Sequence, residues 1–328
     1  MDTFNEETGA KEVIKKLGIY AEGKIYLITG GSNASIGGDV AIELAAAKPK
    51  LIILASRSEA KILPVLEAIH KVDATVEAVF VYLDLLDNST VYKAVDKIKN
   101  LTPKIDTLVN NAGIMGVKAY STSKDGVESQ FATNYLGHFL LTNLLLKEGL
   151  LTGDGSLIVN DGSLGYQLAD PRLEDPNFNA NHELQDGKEY NGWKAYGQAK
   201  SSLYLFTWNL AEKLRVKGIP VLAVHPGVTI ESHLLANSAI DQEWFGEAYK
   251  LAIERNNGNP LPPQHLRSLT QATAAVLSTL LDPSIRDKAP ASFVEHRPYE
   301  PLPYVTDLKS AEKLWALSEK LVGQKFDL

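Results

Sequence analysis

Six short apolar runs punctuate the chain, at Ile25 to Thr29, Leu51 to Ala55, Ala78 to Leu83, Thr107 to Val109, Leu157 to Val159 and Val221 to Val224. Stretches with helical spacing of apolar residues separate them. Runs that are continuously apolar, rather than alternating, predict strands buried on both faces. Strand and helix in alternation predict a parallel sheet covered by helices on each side, with right-handed crossovers and a ligand site beyond the carboxyl ends of the strands. Within an N-terminal extension, residues 1–20, the spacing of Val13, Ile14 and Leu17 predicts a short packed helix over Ala10 to Ile19. Two segments break the rhythm. Residues 165–192 are polar and rich in Asn, Asp and Pro, and residues 231–264 carry Trp244, Phe245 and Tyr249 before a proline-rich end. Loops this long in a compact domain tend to carry function. The aromatic trio suits an apolar substrate lid or an ordinary core contact.

Composition narrows the classes. A chain of 328 residues, 45% of them hydrophobic, can bury a large core, and we read it as a single domain spanning 1–328. With 33 basic against 40 acidic residues the net charge is -7, and no dense Lys/Arg run suggests a nucleic-acid or membrane-surface partner. The absence of cysteine removes disulfides, thiolate metal ligands and thiol nucleophiles, and no metal site is expected. The N-terminus lacks the basic start and apolar run of a secretory signal, and no apolar stretch is long enough to cross a bilayer. The expectation is a soluble cytoplasmic protein acting on a small molecule.

The first run ends in Thr29-Gly30-Gly31-Ser32-Asn33-Ala34-Ser35-Ile36-Gly37-Gly38, followed by an apolar-periodic helix through Val40, Ala41, Leu44 and Ala45. Strand, glycine turn and helix make a phosphate cradle. Glycine permits close backbone approach, and the amides at a helix N-terminus attract negative charge. The same residues also suit a tight turn without ligand. At the end of the second run, Ser56-Arg57 stands where an acid would be expected to hold the ribose hydroxyls of an unphosphorylated dinucleotide. Ser56 can hydrogen-bond and Arg57 can fork onto a 2′-phosphate, which favours NADP(H) over NAD(H). The alternative is an exposed arginine beside a helix cap.

Tyr196 and Lys200 lie one helical turn apart. A phenol ionises near pH ~10, and a cation held beside it favours the phenolate, turning tyrosine into a usable acid–base group. Alone, such a pair is equally a solvated helix face or a packing contact.

Taken in order, these landmarks resemble the classical short-chain dehydrogenase/reductase family, and within it the branch of retinol dehydrogenases and WW-domain oxidoreductases. The resemblance covers roughly residues 20 to 325. It rests on the glycine turn, Asp84-Leu85, Asn110-Asn111-Ala112-Gly113, Asn134 in Thr133-Asn134-Tyr135-Leu136-Gly137, Ser163, the Tyr196 and Lys200 pair, and His225-Pro226-Gly227. The tail, Ala311 to Trp315 and Leu321 to Gly323, is similar to that of fungal members. The resemblance implies a Rossmann fold, a doubly wound parallel sheet of about seven strands. It makes Tyr196 the proton donor or base, Ser163 the hydroxyl that holds the substrate oxygen, and Lys200 the group that lowers the phenol pKa and grips the nicotinamide ribose. Asn134 would anchor a water that completes the relay. Cofactor contacts are implied for Gly30, Gly31, Ser32, Asn33, Ser35, Ile36, Gly37, Ser56 and Arg57. They are also implied for Asp84, Leu85, Asn110, Asn111, Ala112, Gly113, Tyr196, Lys200, Pro226, Gly227, Val228 and Ser232. His225 reads as a buried, hydrogen-bonded histidine rather than a catalyst.

Three departures stand out. The glycine turn is one residue longer than the family pattern, with Ser35 in place of the middle glycine. The Ser163 to Tyr196 interval is extended, the extra residues forming either a pocket wall or a surface excursion. Glu231 occupies the position of a family threonine, with Ser232 next and Thr229 a weaker substitute. The expected activity is NADP(H)-dependent hydride transfer to or from a carbonyl/alcohol pair on an apolar substrate, most simply as a ketone or aldehyde reductase. A dinucleotide-binding regulator without useful catalysis, and an epimerase or dehydratase that retains its cofactor, are the rival readings. Dimers or tetramers through the helices that carry Asn134 and Tyr196 are common in the family, and a monomer remains open.

Overall fold

The computed structural model describes residues 4–153, 155–178, 190–232, 234, 240–259 and 266–328. Parts of the 165–192 and 231–264 segments therefore lie outside the described residues. Each apolar run forms a strand: β1 (Ile25–Thr29), β2 (Leu51–Ser56), β3 (Glu77–Tyr82), β4 (Thr107–Asn110), β5 (Leu157–Asp161) and β6 (Val221–His225), of which β3, at the sheet edge, is only partly buried rather than buried on both faces. These join β7 (Ala291–Val294) and β8 (Arg297–Tyr299) in one sheet of order β3-β2-β1-β4-β5-β6-β7-β8. All pairings are parallel except β7 with β8. The sequence reading of about seven strands thus becomes eight. The last hairpin carries little signal because both strands are short and Pro298 sits in the outer one, where a missing N–H is tolerated.

Helices cover both faces. On one side lie α1 (Ala10–Leu17), α2 (Ile36–Ala45), α3 (Glu59–Val72) and α8 (Leu269–Leu281), packed around Ile28, Leu44, Ile52 and Val159. On the other lie α4 (Asn88–Leu101), α5, and the long α6 (Gly192–Leu214). The helix α5 runs through Ser129–Phe131, a wide π-type turn at Ala132–Leu136, and Gly137–Lys147. A further helix, α7 (Gln242–Arg255), lies over the carboxyl edge of the sheet.

The terminal helix α9 (Leu308–Val322) packs on α6. Trp315 lies edge-on against Phe139 of α5 at 4.9 Å between ring centres and near Phe206 of α6 at 6.1 Å. Phe326 meets Phe139 at 5.8 Å, and Ser318 pairs with the buried Tyr135 hydroxyl at 2.6 Å. The terminal helix and Phe326 therefore cover Phe139 and Tyr135 of α5 and Phe206 of α6. Replacing Trp315 by alanine opens a cavity in this layer. It is expected to lower unfolding stability by about 3–5 kcal/mol in urea titration, and a loss under about 1 kcal/mol would show that α9 is loosely held.

Candidate active site

The sheet order reverses between β1 and β4, and the crevice expected at such a switch point is present as a cleft of about 650 Å³. Its first wall is the glycine turn. Gly30 has φ +76°, and a Cβ there would come within 2.7 Å of the Ala112 Cα, so the turn closes on β4 only without a side chain. The extra residue of the turn is taken up at Ala34, in the left-handed region at φ 51°. Ser35 is the N-cap of α2: its Oγ accepts from Gly38 N at 3.1 Å and donates to the Ser32 carbonyl at 2.6 Å. A serine in the middle-glycine position thus secures the register by capping. Gly30, Ser32, Ser35 and Ile36 line the cleft. Gly31 and Gly37 are buried behind it, against Leu54 and Asn111, and Asn33 is exposed, its N–H donating to the Lys61 carbonyl at 3.0 Å.

At the far end Ser56, Arg57, Asp84 and Leu85 line the cleft. Arg57 is exposed and has no carboxylate partner among the described residues. Beside it stand Ser58 and Lys61, which the sequence reading did not single out. The available signal was spacing: Lys61 is the fourth residue after Arg57, in the first turn of α3. No acid occupies the end of β2.

Asn110, Asn111, Ala112 and Gly113 fall into two groups. Asn110 is buried in the sheet and donates to Asn160 Oδ1 at 2.8 Å and Thr142 Oγ1 at 3.1 Å. Asn111 ties β4 to the glycine turn, its amide donating to Thr29 O at 2.8 Å, and it lines the cleft with Ala112 and Gly113. Asn134 sits in the π-type turn of α5, where wide turns interrupt the regular backbone hydrogen-bond ladder and often mark functional sites. Its side chain is held at both ends by Ile114, accepting from the backbone N–H and donating to the carbonyl, each at 2.8 Å.

Ser163, Tyr196 and Lys200 converge beyond the end of β5. The Tyr196 phenol is hydrogen-bonded to Ser163, whose Oγ also accepts from Gly165 N at 3.0 Å. Gly165 matters here: a Cβ would lie 2.5 Å from the Tyr196 ring. The Lys200 ammonium is 5.9 Å from the centre of that ring and donates to the Asp161 carbonyl at 2.6 Å. Burial pushes the phenol of Tyr196 well above its ordinary value, the Ser163 hydrogen bond pulling the other way. Burial likewise lowers Lys200, against the negative charge of Asp161. Burial is the dominant influence on both groups. His225 is buried and neutral, lowered to about 4 by burial and then by Lys200. Tyr196 and Lys200 themselves do not line the cleft; Asp161 and Thr133 do.

An apolar wall stands next to Tyr196. Trp193, Leu168, Ala248 and Ala252 pack around it with Met115, Ile240 and Trp244. Trp193 Nε1 donates to the Trp244 carbonyl and Trp244 Nε1 to the Gly116 carbonyl, both at 2.7 Å, so α7 is tied over the site from two sides. Of the aromatic trio, Trp244 joins this wall while Phe245 and Tyr249 remain exposed. Ser232 is buried and lines the cleft. Glu231 instead accepts from Leu269 N at the start of α8, at 2.6 Å, and Thr229 from Glu231 N. Pro226, Gly227 and Val228 do not line the cleft; Gly227 packs on Arg267, and Val228 bridges to Leu266. The long 165–192 segment begins at the site, where Gly165 and Leu168 pack on Tyr196, and farther along it is tied to α5: Asn177 accepts from Glu128 N at 2.8 Å and Tyr190 donates to the Glu128 carboxylate at 3.0 Å.

These features fit a dinucleotide. The N-terminus of α2 opens on the cleft beside a turn where Gly30 allows close backbone approach, and two cations stand at the end away from Tyr196. No cluster of three or more metal-ligating side chains occurs among the described residues, and no described helix is long and apolar enough to cross a membrane.

The sequence profile described as short chain dehydrogenase matches residues 24–170, ending where the long segment begins. Retinol dehydrogenase 13 of Homo sapiens is 32% identical over 311 residues, covering 92% of this chain and 85% of its own length. An uncharacterized oxidoreductase of Schizosaccharomyces pombe is 38% identical over 213 residues, 63% of this chain and 60% of its own. The crystal structure of a protein from Mycobacterium paratuberculosis superposes with a TM-score of 0.64 at 28% identity, covering 94% of this chain and 96% of that one. The chain belongs to the short-chain dehydrogenase family. It is accordingly an oxidoreductase of the kind that works with a nicotinamide cofactor.

Asn134→Ala leaves the Ile114 N–H and carbonyl without partners behind the cleft wall. It is expected to cost about 1–3 kcal/mol in chemical unfolding and to weaken dinucleotide binding in a fluorescence titration. An unchanged midpoint and affinity would deny Asn134 this bracing role.

Proposed function

We propose that the chain is an NADP(H)-dependent oxidoreductase that moves hydride between the nicotinamide and the carbonyl or alcohol carbon of an apolar small molecule, most simply as an aldehyde or ketone reductase. The observation that carries the reading is the convergence of Ser163, Tyr196 and Lys200 against the wall of Trp193, Leu168 and Met115. The dinucleotide, when bound, supplies or accepts the hydride. Ser163 holds the substrate oxygen, and Tyr196 donates its phenolic proton to that oxygen in reduction or takes it in oxidation. Burial keeps the phenol protonated before reaction, and the Lys200 ammonium stabilises the negative charge left as the proton departs.

NADP(H) is favoured because Arg57 and Lys61 both border the adenosine end of the cleft, and β2 ends without an acid. An apolar substrate is favoured by the wall around Tyr196, which matches the character of the substrates for which its retinol dehydrogenase relatives are named.

Following NADPH absorbance against a panel of aldehydes and ketones that includes retinal tests the reading. Tyr196→Phe is expected to cut turnover by roughly 100-fold or more while NADPH binding persists; unchanged turnover rejects the mechanism. Arg57→Asp is expected to raise the ratio of NADH to NADPH efficiency by about 10-fold or more, and combination with Lys61→Ser to raise it further. No change in either ratio removes these side chains as selectors.

A further inference from the structure

Asp161 is the last residue of β5, two positions before Ser163, and no role given above uses its side chain. Successive side chains of a strand leave on opposite faces. The Asn160 amide donates to Thr207 Oγ1 of α6 at 2.8 Å, so the Asp161 side chain leaves on the other face, into the cleft whose wall it shares with Met115 and Ser232. Its Oδ1 is buried and without a hydrogen-bond partner. Lys200, the cation that acts on it, donates to its backbone carbonyl instead of its carboxylate. A carboxylate kept in this condition is costly, which points to a charge that arrives with a ligand.

We propose that Asp161 sets the balance between the oxidised and reduced cofactor, its carboxylate at the cleft wall favouring the cationic oxidised nicotinamide over the neutral reduced ring. The inference rests on the nicotinamide reading of the cleft proposed above. Loss of a hydride leaves the ring with one positive charge, and a fixed negative charge beside it distinguishes the two forms.

Burial raises the Asp161 carboxyl to about 6, against the pull of Lys200. The other titratable groups that face this cluster are Tyr196 and Tyr204 of α6, kept protonated by burial, and His225 of β6 and His138 of α5, kept neutral. Above about 6, then, Asp161 carries charge and favours the oxidised cofactor; as pH falls through that value the preference is lost. Because the folded state disfavours the charged carboxyl, the same group lowers stability on the alkaline side.

The test is a titration of the full chain with NADP+ and NADPH, each at about pH 5 and about pH 8, read as the ratio of the two Kd values. The 2′-phosphate is common to both forms and cancels in the ratio. In the wild-type chain the ratio is expected to move toward NADP+ by roughly tenfold between the two pH values, the scale of one nearby charge in a partly buried site. In Asp161→Asn and Asp161→Ser it is expected to be flat. The Asn variant should melt at the same temperature as the wild type or higher at the alkaline pH, because it removes a partly buried charge whose Oδ1 has no partner. A fall of many degrees would make Asp161 a structural partner and overturn the inference. The same pH dependence in all three proteins overturns it while leaving the proposed function standing. Failure of either dinucleotide to bind overturns that reading and this one together.

Discussion

Where β1 and β4 run side by side, their helices leave to opposite faces of the sheet, and the backbone groups at the two strand ends lose their neighbours. Unpaired polar groups at that depth are costly. Thr29 and Asn111 supply the missing partners: the Thr29 hydroxyl accepts from both Asn111 N and Ala112 N at 3.0 Å, and the Asn111 amide donates back to Thr29 O. One residue earlier, Asn110 ties β4 to Asn160 of β5. This polar seam lets the sheet part without unravelling. The glycine turn rests on one side of it and the Asp161 to Ser163 corner on the other, so side-chain hydrogen bonds inside the sheet set the distance between the turn and the Ser163 corner.

The chemistry is placed where charge is hard to keep. Lys200 is buried beside two histidines that burial holds neutral and a tyrosine that burial holds protonated. Its ammonium is satisfied by a backbone carbonyl, which fixes its position without neutralising it. A fixed charge in a weakly screening site acts strongly on any charge that develops nearby. Burial also keeps the phenol protonated, with the Ser163 hydrogen bond opposing that rise.

How legible was this in the sequence? The parallel core was, because Ile25 to Thr29 and its counterparts are continuously apolar and strand length, and few other structures bury such runs. The final hairpin was not, because Arg297–Tyr299 is half polar and contains proline. The candidate site was readable where chemistry demands particular side chains in order, as with Ser163, Tyr196 and Lys200. It was unreadable where geometry alone decides. Lys61 joins Arg57 only because α3 begins at Glu59, and Trp193 and Trp244 meet only because α7 folds back over the strand ends. Ser35 looked like a defect in a glycine pattern, and its capping hydrogen bonds make it the residue that holds the turn. Asp161 is ordinary in sequence and conspicuous only once its unpartnered oxygen is located.

The helix α9 changes what the outside of this molecule can do. Its Trp315 and the following Phe326 lie on Phe139 and Phe206, and Ser318 is bonded to Tyr135, the residue next to Asn134. Phe139 and Tyr135 of α5 and Phe206 of α6 are therefore interior, covered by α9 and the segment that follows it. The layer behind the π-type turn that carries Asn134 and Tyr135 thus comes from the same polypeptide as the turn itself.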